Sequence, residues 1–196
     1  MKPPIVIVGV GALGSHLGLL LRNWACPVGL YPIRVCDFDR VEKKNVMSQF
    51  HTTMGVGRNK AQAFQQALQG MFGVRVEAIP HRLTSDNAEA LLGGAALVID
   101  CTDNAEARRV IQGFVKPMGI PCLHGCLGAE GTIGRVVWTE QFKPDEAGEG
   151  QATCENGEHL PFIGMVSSYL AQAAQRFFKT GERWAFQVLP DKVLRL

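Results

Sequence analysis

Gly9, Gly11 and Gly14 stand at G-x-G-x-x-G spacing, between the β-branched run Ile5 to Val8 and apolar residues at helical spacing from Ser15 to Trp24. Glycines in such a turn let the backbone approach a phosphate, and the N-terminus of the following helix favours its charge. Ala12 and Leu13, inside the motif, belong to the same expected contact set. Asp37 ends a second apolar run, Ile33 to Asp37, at the distance of about twenty residues where an acidic side chain reaches a ribose hydroxyl. A nicotinamide enzyme and an ATP enzyme fit these residues equally well.

The loop after Asp37 separates the two, because a dinucleotide fold has no use for Asp39, Asn45 and Gln49 at that place. DFDRVEKKNVMSQFH, then GRNKAQA with Lys60, then LVIDCTDN with Asp100, Asp103 and Asn104, resembles the ThiF/MoeB/HesA family and the adenylation domains of ubiquitin-activating enzymes. The resemblance runs from Ile5 to about Gly181. It implies ATP-dependent adenylation of the C-terminal glycine carboxylate of a ubiquitin-fold sulfur carrier with a Gly-Gly end, and a homodimer. By the same resemblance Asp37 meets the ribose, Asn45 and Lys60 the phosphates, and Asp103 the Mg²⁺, a cation that takes one or two carboxylates plus phosphate oxygens. The nucleophile is already an anion, so no general base is required, and catalysis rests on positioning and charge stabilisation. Helix capping is the competing role for Asp100 and Asn104.

Two departures thin that charge stabilisation. The family carries an arginine immediately before Gln49, and here it is Ser48; four residues precede the first strand, where relatives have a helix that donates a second arginine across the dimer. Ser48→Arg is expected to restore the missing charge, unless Arg40, Lys43, Lys44 or Arg58 already compensates. These departures also sustain a second reading, an adenylation-deficient scaffold that binds the carrier or a catalytic partner. A nicotinamide oxidoreductase would need a substrate domain for which this chain has no room.

Relatives often hold a structural zinc with two C-x-x-C pairs, but this chain has no C-x-x-C, and Cys122 and Cys126 have three residues between them with no second pair, so no structural zinc is expected. Cys154 occupies the place where thiamine-type relatives carry a sulfur-transfer cysteine, in an expected exposed loop whose acidic neighbours disfavour a thiolate. Cys101 and Cys126 are expected to pack in the core, and His51 and His124 to be structural.

The elements that must position these residues alternate as βαβ. Helices are predicted over Asn59 to Met71, with Ala61, Phe64, Ala67, Leu68 and Met71 on one face, over Asp86 to Leu92 and over Ala105 to Lys116; strands over Val74 to Ala78, Ala96 to Asp100 and from Pro121. This rhythm gives a Rossmann-like, mostly parallel sheet with helices on both faces. GTIGRVVW, Gly131 to Trp138, alternates like an antiparallel strand, and an amphipathic helix carrying Phe162, Ile163, Val166, Leu170 and Phe177 precedes two closing strands. Between them Glu140, Asp145, Glu146, Glu149, Glu155 and Glu158 face one lysine, with Gly148, Gly150 and Gly157, so a mobile surface loop is expected.

The 196 residues, 46% hydrophobic, suit one domain over 1–196. A net charge of +2 without a basic, aromatic-laced stripe argues against nucleic acid. Lys2 and the apolar run behind it mimic a secretory leader, but the glycine spacing and the absence of an A-x-A site oppose that, and no stretch is long enough for a bilayer. Six cysteines scattered through apolar segments, Cys26 and Cys36 among them, point to reduced thiols and a cytoplasmic location.

Overall fold

The computed structural model describes residues 2–24, 31–143, 153–154 and 157–196. Its parallel half consists of β1 (Ile5–Val8), β2 (Ile33–Cys36), β3 (Glu77–Ile79), β4 (Leu97–Asp100) and β5 (Cys122–Leu127). Helices α1 (Ala12–Leu20), α2 (Lys60–Phe72), α3 (Ala88–Leu92) and α4 (Ala105–Met118) connect them. The antiparallel half adds β6 (Gly134–Trp138), α5 (Leu160–Thr180), β7 (Phe186–Val188) and β8 (Val193–Arg195). The eight strands form one sheet in the order β3-β2-β1-β4-β5-β6-β7-β8, and pairing changes from parallel to antiparallel at β5 and β6.

Strand alternation divides the core. Ile5 and Ile7 of β1 face a cluster with Leu13 and Leu17 of α1, Phe64 and Leu68 of α2 and Leu170 of α5. Val6 and Val8 face the other layer with Leu91 and Leu92 of α3 and Ile111 and Val115 of α4. Every residue of β1 is buried, as a central parallel strand covered on both faces requires.

This order puts the functional rim in one place. β1 lies between β2 and β4, and the chain crosses to opposite sides from it, so the crevice opens above the carboxyl ends of β1 and β4. Gly9 follows one of these ends and the Asp103 loop the other.

Several predicted boundaries shift. The first helix begins at Ala12, because Gly11 serves as its N-cap, and stops at Leu20 before a 3-10 turn over Arg22–Trp24. The third strand pairs only from Glu77, although Val74 and Val76 are buried before it. Met71 is half exposed, since the last turn of α2 runs past the buried face set by Ala61, Phe64 and Leu68. The antiparallel strand starts at Gly134, after a 3-10 turn in which Glu130 takes φ 55°. Cys26 and the loop residues Asp145, Glu146, Gly148, Glu149, Gly150 and Glu155 lie outside the described residues.

Candidate functional site

The glycine turn is built by contact. Gly9 has φ +87°, and a Cβ there would lie 2.9 Å from the carbonyl oxygen of Cys101; a Cβ at Gly14 would lie 1.8 Å from the carbonyl oxygen of Gly9. Neither position accepts a side chain without moving backbone. Gly11 caps α1 with no side-chain bond, which leaves the first N–H groups of the helix directed into the crevice.

Between the glycines, Val10 is held from both sides. Its N–H donates to Asp37 Oδ2 at 2.7 Å, and its carbonyl accepts from His51 Nε2 at 2.8 Å. Two further bonds fasten α1 to the same loop: Phe50 N–H to Ser15 Oγ at 2.8 Å, and His16 Nε2 to the Ser48 carbonyl at 3.2 Å. The stretch from Asp37 to His51 therefore shapes the turn as well as bordering it. His51, expected to be structural, holds the turn itself. Its Nδ1 and the Oε1 of Gln49 are buried without a hydrogen-bond partner among the described residues, and both residues line a cleft of about 240 Å³ with His16, Met47 and Leu160.

Burial holds the imidazoles of His16 and His51 below their ordinary value of 6.5, against the opposing bonds to the Ser48 and Val10 carbonyls. As pH falls through that value the unfolded chain takes up protons before the native state does, so stability is full above it and lost below it. Thermal unfolding is expected to show a melting temperature that declines from about pH 7 to about pH 5. His51→Gln, which keeps a donor for the Val10 carbonyl, should flatten the slope; a wild-type melting temperature constant over this window would contradict the argument.

At the end of β2 the acidic pair divides its work. Asp37 is nearly buried, and its two oxygens accept the N–H groups of Val10 and of Asp39, the latter at 2.8 Å. Burial raises its carboxyl pKa, opposed by these two bonds and by the Lys60 charge. Asp39, with a side chain 51% exposed, faces Lys60 Nζ at 3.4 Å. Lys60 opens α2 and is buried, with 11% of its side chain exposed. Asn59, which sequence reasoning missed, ties this corner together: its Nδ2 donates to the carbonyls of Asp37 and Asp39, while its Oδ1 caps α2. An asparagine immediately before a helical run was the available signal.

Beyond β4, Asp103 is exposed and has no hydrogen-bond or ion-pair partner among the described residues. Asn104 caps α4 by accepting from the N–H groups of Glu106 and Ala107. Asp100 caps nothing: it is fully buried, with its carboxyl toward His124 and Thr102. No three His, Cys, Asp or Glu side chains gather into a metal cage among the described residues.

Asn45 is buried in a 3-10 turn over Lys43–Met47, where its Oδ1 accepts the Glu42 N–H in a capping box. Ser48 caps the other end of that turn. It is fully buried and its hydroxyl donates to the Cys154 carbonyl at 2.5 Å, so an arginine here, expected to restore charge, would have to displace that bond from a buried position. Cys154 is partly buried against the core rather than exposed, and the neighbouring Thr153 hydroxyl bonds to Gly128 and Gly131. Cys101 and Cys126 are likewise partly buried against the core, and burial raises the Cys101 thiol. The Cys36 thiol is pushed up to about 12 by burial, then by Asp37.

The chain is similar to several known proteins. The sulfur carrier protein adenylyltransferase of Thermus thermophilus is 36% identical over 128 residues, 64% of this chain and 46% of that protein. The molybdopterin-synthase adenylyltransferase of Salmonella typhimurium is 27% identical over 179 residues, 87% of this chain and 70% of that protein. This chain thus spans about half the length of the Thermus relative. Among solved structures, E. coli MccB with ATP aligns with a TM-score of 0.73 at 14% identity over 99% of this chain and 62% of that one. The E. coli tRNA N6-threonylcarbamoyladenosine dehydratase, TcdA, aligns with a TM-score of 0.67 at 20% identity over 91% of this chain and 87% of that one. At such identities these alignments speak to the fold. The family model for ThiF matches residues 2–185, and the chain belongs to the ThiF family.

Proposed function

We propose that this chain adenylates the C-terminal glycine of a ubiquitin-like sulfur carrier protein, using ATP and Mg²⁺ and releasing pyrophosphate. The observation that carries the reading is the convergence, at one crevice, of a glycine turn with uncapped helix N–H groups, the Asp39–Lys60 corner and the exposed Asp103. The carrier's terminal carboxylate oxygen attacks the α-phosphorus, the bond to the β-phosphate breaks, and pyrophosphate leaves with its electron pair. The turn and Lys60 hold phosphate oxygens, Asn45 and Gln49 border them, and Asp37 or Asp39 meets the ribose. A single exposed carboxylate such as Asp103 suits Mg²⁺, which takes its remaining ligands from phosphates and water and, when bound, offsets their charge. Cys154 is not needed for this step, because an adenylate forms without a thiol; its place in the reading is the later sulfur transfer.

The reading includes a cytoplasmic homodimer. None of the five described cysteines is in a disulfide, and no helix among the described residues is long and apolar enough to cross a membrane. A second reading, a scaffold that binds the carrier or a catalytic partner without adenylating, is favoured by one observation: Ser48 supplies a structural hydroxyl where the family carries a charge.

Calorimetry is expected to detect ATP binding with Mg²⁺ at micromolar affinity or weaker, and none for NAD. Tight NAD binding without metal would remove the adenylation reading. Exchange of labelled pyrophosphate into ATP, dependent on a Gly-Gly carrier, separates the remaining two: a folded protein that binds ATP yet exchanges nothing is the scaffold.

A further inference from the structure

The densest polar chemistry away from the crevice is sealed beneath it. Asp100 and His124 are fully buried on adjacent strands, in register, with His124 Nδ1 2.7 Å from Asp100 Oδ2. His124 Nε2 lies 3.2 Å from Thr139 Oγ1 and 3.5 Å from Cys122 Sγ, and its ring stacks on Phe142 with centroids 4.1 Å apart. Gln112 Nε2 donates to the carbonyl of Phe142 at 3.1 Å. The order acid, imidazole, hydroxyl is that of a nucleophilic triad. It cannot act as one here, because Thr139 is 4% exposed and beyond the reach of any substrate carbonyl.

The other ends of these bonds are more informative. Asp100 Oδ1 accepts both the N–H of Thr102, at 2.9 Å, and its hydroxyl, at 2.7 Å. Arg108, whose Nε is 3.9 Å from Asp100 Oδ2, donates through Nε and Nη2 to the Thr102 carbonyl at 3.1 and 2.6 Å. All three polar groups of Thr102 are therefore fixed, and the next residue is Asp103. A donor set that would otherwise ride on a free loop is held by a buried network reaching from β4 through β5 to β6.

We infer that Asp100, His124 and Arg108 are positioning residues for Asp103, forming the outer support of the divalent-cation site. The inference rests on the adenylation reading, since it needs Asp103 to meet a cation beside ATP. Outer support of this kind orients a ligating carboxylate, and its loss typically lowers metal affinity about 10- to 100-fold.

The test uses Mn²⁺ with ATP and the whole chain, following Mn²⁺ binding by water-proton relaxation and metal-free ATP binding by calorimetry. His124→Phe keeps a ring on Phe142 and removes both nitrogens. It is expected to weaken Mn²⁺ binding to the ATP complex by about tenfold or more while metal-free ATP binding is unchanged. His124→Asn, which returns a donor toward Asp100, should recover most of that loss. Should His124→Phe not fold, Arg108→Met must give the same loss by removing the bonds to the Thr102 carbonyl. Mn²⁺ affinity equal to wild type in folded variants, with only the melting temperature lowered, overturns the inference and leaves the adenylation reading standing. A wild type that binds no Mn²⁺ with ATP overturns both.

Discussion

On the adenylation reading, Asp103→Ala is expected to eliminate carrier-dependent pyrophosphate exchange, and Lys60→Ala to lower it by about a hundred- to a thousandfold, the usual effect of removing one preorganised charge from a reacting centre. Both proteins are expected to stay folded. Asp103 has no partner among the described residues to lose. Lys60 loses an ion pair to an aspartate that is half in water, a pair of the kind that contributes about 0–1 kcal/mol, together with the packing of its own buried stem. Asp103 is exposed and Lys60 is buried, so the alanine change at Asp103 is expected to leave stability closer to wild type than the one at Lys60. The measurement is exchange of labelled pyrophosphate at saturating carrier, with melting curves on the same preparations. Exchange in Asp103→Ala near the wild-type rate would remove Asp103 from the site.

Ser48→Arg is expected to destabilise the site rather than repair it. Ser48 is fully buried, its hydroxyl committed to the Cys154 carbonyl and its own carbonyl to His16. A guanidinium there must overpack the interior or drag an unpaired charge into it, costing on the order of 3 kcal/mol or more. For a chain of 196 residues that lowers the melting temperature by roughly 6 °C or more. Ser48→Ala, which only removes one hydrogen bond, should cost about 1 kcal/mol. Differential scanning calorimetry of the two variants distinguishes them, and an arginine variant as stable as wild type with faster exchange would show that the position opens readily.

Much of this was legible because the signals are local. The run Ile5 to Val8 ends at a glycine, and a strand buried on both faces needs only an unbroken apolar stretch, so β1 and the turn after it could be read directly. The capping of α4 by Asn104 was open for the same reason. What sequence could not supply were bonds whose partners lie far along the chain or on the backbone. Asp37 is occupied by the N–H of Val10, 27 residues away, and Asp100 meets His124 only because β4 and β5 pair in one register. The burial of Ser48 was hidden on similar grounds: a polar residue in a polar loop gives no sign that its hydroxyl bonds to the carbonyl of Cys154, 106 residues away.

Parallel pairing has a practical corollary for handling the molecule. Because β1 to β5 deliver their carboxyl ends to one rim, the turns that lead back into the strands gather at the opposite rim, where α2, α3 and α4 end. Gly73, Gly94 and Gly119 lie in those turns, and a Cβ added at any of them would meet nothing within 4 Å. Their positive φ values, 67°, 67° and 63°, argue for inserting residues beside them rather than replacing them. A fluorophore, an affinity handle or a surface tether attached there sits a full sheet height from the crevice, so immobilised protein presents its reactive face outward.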